Sequence, residues 1–157
     1  EPSFVHYPRR DIPNLRRNNI DITVIAGTAF GRESPVAVYA PTLYCALGMP
    51  AGAALELPEE HEQRAVYVFS GRAELAGEPL EAGEMAVLRP GDGLALRALD
   101  DTRAMLIGGA AFAERRYIWW NFVSASEQRI ETAKKDWKAG RFAAVPGEEE
   151  FIPLPES

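Results

Sequence analysis

Two histidines, one cysteine and a short run of glutamates are the side chains of this chain that could do chemistry. His61 sits in PEEHEQR, beside Glu59, Glu60 and Glu62. Imidazole and carboxylate together suit divalent first-row metals, and such a site needs roughly three or four ligands. His61 is the one candidate ligand of this stretch, and a histidine in so charged a segment is most often solvated. The glutamates read as a solvated face. His6 lies in a proline-rich arm, far along the chain from His61. Cys45, in TLYCALGM, reads as a residue filling a strand face rather than a nucleophile. Ser70 before Gly71 lacks the small flanking residues of a nucleophile elbow and ends a strand without leading into a helix. PGDG at 90–93 has the glycines of a phosphate loop but the surroundings of a hairpin turn. Trp119 and Trp120 could stack on a flat ligand, but on a strand they point to opposite sides, which places one in the core. No catalytic set emerges, and no cofactor is expected in this chain.

The elements that must position these residues are short strands. From Leu57 to Ala98 the chain alternates apolar runs with glycine turns: Ala65–Phe69 stops at Ser70-Gly71, Arg72–Leu75 at Ala76-Gly77, and Met85–Leu88 at Pro90-Gly91-Asp92-Gly93. Runs this short, punctuated this often, suit an antiparallel sheet folded on itself. The pattern is that of a cupin, a small double-sheet jelly-roll barrel. Upstream, EPSFVHYPRRDIPNL carries three prolines and reads as an extended connector. Ile22–Ala26 is the first strand expected, Gly27–Pro35 a loop, and Val36–Tyr39 and Leu43–Leu47 two further strands. Arg103–Ile107 is the last strand of the barrel, ended by Gly108-Gly109. In Ser124-Ala125-Ser126-Glu127, Ser124 fits an N-cap with Glu127 closing a capping box. A helix is expected from about 125 to 139, with Ile130, Ala133 and Trp137 on one face against the barrel exterior or a partner domain. The proline-rich tail is expected to be extended and docked. The expected organisation is a connector over 1–20, a cupin barrel over 21–123, and a helix and tail over 124–157.

A chain of 157 residues with 46% hydrophobic residues suits one domain with a real core. Its net charge of −6 argues against a nucleic-acid surface, despite Arg9, Arg10, Arg16 and Arg17. No apolar run approaches the roughly 20 residues of a membrane span, and no signal peptide is evident. One cysteine cannot form an internal disulfide, so a reducing, cytoplasmic compartment is expected. The chain begins at Glu1 rather than methionine, which suggests a fragment, a trimmed chain or a shifted numbering.

Five segments carry a more specific resemblance: ITVIAGTAFGRESPV, HEQRAVYVFSGRAEL, LEAGEMAVLRPGDG, WWNFVSASEQRIETAKKDWKAGRF and VPGEEEFIPLP. Together they resemble the C-terminal half of a pirin-family bicupin, over about Ile22 to Pro155. The resemblance implies a partner, a preceding N-terminal cupin domain that holds iron or another divalent metal. It also implies where ligands would fall in this half. Counting back from Gly71, the family's histidine pair lands on Leu57 and Glu59. Counting forward from Gly83 and Gly93, its histidine and glutamate land on Leu96 and Ala98. Three of these four cannot ligate, so the resemblance implies a barrel that kept the fold and lost the metal. Some relatives are similar to quercetin 2,3-dioxygenases, which open a flavonol ring with O₂, and others are discussed as transcriptional co-regulators or redox sensors. The expectation is a metal-free domain with a structural and interaction role. The alternative is part of an oxygenase whose metal lies in the other domain. Phe4, Tyr7, Phe151, Ile152 and Leu154 are expected to meet that domain or a second copy.

Overall fold

The computed structural model describes residues 4–144 and 146–155. The chain falls into two compact units, the first ending at Ala111 and the second starting at Phe112.

The first unit is built from eleven antiparallel strands: β1 (Asn14–Arg17), β2 (Ile20–Ala29), β3 (Arg32–Glu33), β4 (Thr42–Met49), β5 (Ala54–Glu56), β6 (Gln63–Ser70), β7 (Ala73–Leu75), β8 (Glu78–Leu80), β9 (Met85–Leu88), β10 (Ala95–Ala98) and β11 (Thr102–Gly109). A larger sheet runs β1-β2-β4-β11-β6-β9, with β3 on β2, and a smaller one runs β5-β10-β7-β8. The period-2 rule of strands sorts the side chains. Ile20, Ile22 and Val24 of β2 are buried while Asp21 is exposed; Leu43, Cys45, Leu47 and Met49 of β4, and Ala104 and Leu106 of β11, are buried likewise. They join Leu55, Leu57, Ala73, Leu75, Leu96 and Ala98 of the smaller sheet's side in one hydrophobic core. Each fully buried large aliphatic side chain stabilises the fold by about 1.5–3 kcal/mol. The architecture is the expected cupin barrel, mostly β with one C-terminal helix. Arg72 and Asp100 make a two-pronged surface ion pair, with Nε–Oδ2 at 2.7 Å. Hydrogen bonding from Arg72 holds the Asp100 carboxyl below its ordinary range.

Three local expectations fail. The supposed connector contains β1, which pairs along β2 from Asn14↔Thr23 to Arg17↔Ile20. Asn18 and Asn19, both at positive φ, make the two-residue turn between them. Asparagine tolerates that region, so Asn-Asn was the missed hairpin signal. The expected loop over Gly27–Pro35 is instead the end of β2, which turns at Phe30-Gly31 into β3. Val36–Tyr39 is not a strand: it lies between Pro35 and Pro41 without a ladder partner, and Tyr39 is wholly exposed.

The second unit holds a hairpin, β12 (Tyr117–Trp119) with β13 (Phe122–Ser124), followed by α1 (Glu127–Lys138). The hairpin thus groups with the helix and not with the barrel over 21–123. The helix starts two residues later than a cap at Ser124 requires. Ser126 is the N-cap, its hydroxyl accepting from the Arg129 amide, while Ser124 Oγ accepts from the Ser126 amide. Ile130 is buried, and Ala133 and Trp137 are half-buried. Trp120, Phe122, Phe142 and Phe151 all pack on Trp137, at centroid distances of 5.1 to 6.2 Å. Its Nε1–H donates to the Ile152 carbonyl at 2.8 Å, so the tail docks on the helix of its own unit. Trp137→Ala is expected to destabilise this unit by about 2–3 kcal/mol, below the range for a fully buried tryptophan because the ring is half-exposed. Trp137→Phe, which keeps the ring contacts and loses the tail hydrogen bond, is expected to cost about 1 kcal/mol. Hydrogen exchange over 148–155 reads both effects.

Candidate functional site

The segment between β5 and β6 carries Leu57, Glu59, Glu60 and His61, and the turn between β9 and β10 lies beside it. The Leu57 amide donates to the Leu94 carbonyl at 3.0 Å, and Glu59 Oε1 lies 2.7 Å from where a Cβ on Gly93 would be. The two segments therefore form one surface at one end of the barrel.

His61 is not the solvated loop histidine that its charged neighbours suggest: it is buried, with 7% of its surface exposed. Nε2 stands 2.9 Å from the Thr28 carbonyl and 3.4 Å from Thr28 Oγ1. A carbonyl only accepts, so Nε2 carries the proton and donates. That bond ties the segment to the end of β2 and leaves Nδ1 as the ring nitrogen that keeps a lone pair. His6 is exposed on the N-terminal arm.

Of the four positions that the resemblance equates with ligands, Leu57, Leu96 and Ala98 lie in the hydrophobic core, and Glu59 is exposed. Two aliphatic leucines, an alanine methyl and one outward carboxylate do not fit a metal. Among the described residues, no group of three or more His, Cys, Asp or Glu side chains could hold an ion. Cys45 fills the inner face of β4, and burial, then the charge of Glu60, pushes its thiol up to about 12. It stays protonated near neutrality, the opposite of what a nucleophile needs.

The residue the sequence reading missed is Arg64. It alternates inward with Val66 and Val68 on β6 and is 2% exposed. Nη1 donates to the Pro58 carbonyl and Nη2 to the Asp92 carbonyl, both at 2.9 Å, while Nε has no protein partner. A cation thus sits inside, joining the segment before β6 to the turn after β9. Its signal was there to read, as an arginine on the apolar parity of QRAVYVFS.

The two tryptophans are not split between core and surface. Trp120 is at the hairpin turn with φ +48°, and both rings are half-buried. Lys134 lies over Trp119 at 4.3 Å, and Trp120 meets Trp137 edge-on, so both take part in the unit's own packing.

Residues 44–143 match the family described as the pirin C-terminal cupin domain. The chain belongs to the pirin family. It is 42% identical to a pirin-like protein of Caulobacter vibrioides over 99% of its own length and 54% of that protein's. A Pseudomonas aeruginosa protein with a provisional quercetin 2,3-dioxygenase name is 34% identical, over 88% of this chain and 44% of its own length. The crystal structure of a quercetin 2,3-dioxygenase from Acinetobacter baumannii superposes with a TM-score of 0.89 at 27% identity, over all of this chain and 54% of that one. The chain spans about half the length of these relatives, and it matches their C-terminal half. No helix among the described residues is long and apolar enough to cross a membrane.

Proposed function

We propose that this pirin C-terminal cupin domain is the metal-free half of a two-cupin protein, with a structural and interaction role. What supports the reading is the burial of Leu57, Leu96 and Ala98 in the hydrophobic core, at positions the family resemblance equates with ligands. Aliphatic side chains offer no lone pair, and a close-packed interior has no room for a hydrated ion. His61 adds no usable set, because among the described residues no group of three or more His, Cys, Asp or Glu side chains gathers where an ion could be held. Iron or another divalent metal then belongs to the N-terminal half, which is also the partner this half meets. The lone buried thiol of Cys45 fits a reducing, cytoplasmic compartment.

Elemental analysis of the purified 157-residue chain, after incubation with Fe²⁺ or Mn²⁺ and desalting, is expected to give far less than one metal per chain. His61→Ala is expected to leave that content unchanged. One tightly held ion per chain, lost in His61→Ala, would overturn the reading.

The second reading, that this half completes a quercetin 2,3-dioxygenase-like oxygenase, is favoured by the fit of the whole chain to the Acinetobacter baumannii enzyme. It predicts flavonol consumption under O₂ by a protein carrying both halves, and none by this chain alone.

A further inference from the structure

The outer side of the larger sheet is hollowed where β4 crosses it. Ala46 and Gly48 alternate outward with the buried Leu47 and Met49, and neither carries bulk. Their cross-strand neighbours are larger: Thr23 and Asp21 on β2, Met105 and Arg103 on β11. Two small residues between two rows of larger ones leave a trough. A Cβ placed on Gly48 would meet only Asp21, at 3.8 Å. The trough encloses about 700 Å³, the size of a small-molecule site. Phe69 walls one side. Arg103 pairs with Ser70 but Ala104 with Val68, so Phe69 is the extra residue of a bulge, and its ring is 61% exposed. The N-terminal arm closes another side. The Val24 amide donates to the Pro13 carbonyl at 2.9 Å, which holds the arm on β2 and brings Arg9 to the same trough.

We propose that this trough binds a small flat acid, an aromatic carboxylate. Its ring lies over Ala46 and Gly48 against Phe69 and Met105, and its carboxylate points to Arg103 and Arg9. Each part of that description comes from a residue. Flatness follows from the missing side chains on β4. Aromaticity follows from an exposed phenyl ring with a thioether beside it, both good partners for a π face. Negative charge follows from the two arginines. Both are exposed, and neither makes an ion pair among the described residues. A guanidinium is suited to two-pronged contact with a carboxylate. Asp21, the carboxylate of the trough itself, has Arg16 at 3.8 Å. Thr23 Oγ1 accepts from Asn14 Nδ2 at 2.8 Å, which leaves the hydroxyl proton to donate to the ligand. The barrel interior is filled by the hydrophobic core and offers no such place. The site asks nothing of the other half, so it stands apart from the metal-free reading.

The experiment is calorimetric titration of the 157-residue chain with 2-naphthoate as the probe and 2-naphthamide as its neutral isostere. The expected result is saturable binding of naphthoate, with naphthamide weaker by about tenfold, the contribution of a charged hydrogen bond. Arg103→Gln is expected to weaken naphthoate by about the same factor and to leave naphthamide unchanged. Gly48→Val fills the trough. Gly48 is not in the left-handed region and has room for a Cβ, so this variant is expected to keep the native circular dichroism and to abolish measurable binding. Val87→Gln, on the same face but outside the trough, is expected to bind as the native chain does. No saturation up to the solubility limit of naphthoate would overturn the proposal. So would full binding in a folded Gly48→Val, which puts the probe elsewhere. Equal affinity for the amide, or no effect of Arg103→Gln, would reduce the binding to apolar adsorption and overturn it as well. Loss of binding in Val87→Gln would move the probe to β9, with the same consequence. Should Gly48→Val unfold, the surface change Arg103→Gln and the amide still decide.

Discussion

Gly27→Ala is expected to destabilise the barrel by about 3–5 kcal/mol, while Gly31→Ala, at the same φ of +73°, is expected to cost about 1–2 kcal/mol. Both substitutions place a Cβ on a left-handed backbone, which by itself costs an L-residue about 1–2 kcal/mol. They differ in what that Cβ meets. At Gly31 nothing lies within 4 Å. At Gly27 the added atom would sit 1.7 Å from the Thr42 carbonyl oxygen and 2.5 Å from its carbon. That neighbour is backbone, in the ladder where Gly27 pairs with Leu43, so relief means moving β2 from β4. Gly27 also accepts from the Ser34 amide, at 2.9 Å, which anchors the segment after β3. Backbone shifts forced by overpacking add about 1–3 kcal/mol. Against a total stability of about 5–15 kcal/mol, the Gly27 variant loses a large share of the whole. Urea unfolding followed by far-ultraviolet circular dichroism measures both variants. Equal losses at the two glycines would show that β2 and β4 part freely, and the close approach at Gly27 would then carry no energy.

The same glycine lies where the sequence reading went astray. The expectation of a loop over Gly27–Pro35 rests on Gly31 and Ser34-Pro35, which are turn residues. Here a register shift between Val24 and Ala26 bends β2, and Gly27 lets the bent strand continue close against β4. Strand positions in the central stretch were legible because each apolar run ended on a turn residue, as at Ser70-Gly71 and Ala76-Gly77. Val36–Tyr39 had strand composition but no partner, and ladder partners are not written in local sequence. At the candidate site, legibility followed residue type. The aliphatic nature of Leu57, Leu96 and Ala98 could be read directly. The burial of His61 could not, because it depends on Thr28, which is distant in sequence and reaches His61 only through the fold. Arg64 was equally legible from its parity with Val66 and Val68 on β6, which points inward.

Arg64→Ala is expected to destabilise the barrel by about 2–4 kcal/mol and to loosen two segments at once. The guanidinium is 2% exposed and has no carboxylate partner among the described residues, so the pair it forms is with carbonyls alone. Burying a cation is costly, and that cost is relieved when the arginine is removed. What remains is the loss of two hydrogen bonds from a charged donor, each contributing about 1.5–3 kcal/mol, together with the space the side chain leaves. Arg64→Met separates these contributions. It keeps a long apolar stem beside Leu88 and Gly108, the cross-strand neighbours of position 64, and loses only the donors. It is therefore expected to cost about 1–2 kcal/mol, less than alanine. In both variants hydrogen exchange should rise over 58–62 and 89–94, the segments that carry the two acceptor carbonyls. The first of these also carries Glu59 and His61, so in this half a buried cation organises the end of the barrel where the family resemblance places ligands. If methionine proves as damaging as alanine while exchange in both segments stays at the native level, Arg64 acts by filling space and its hydrogen bonds do not hold the loops.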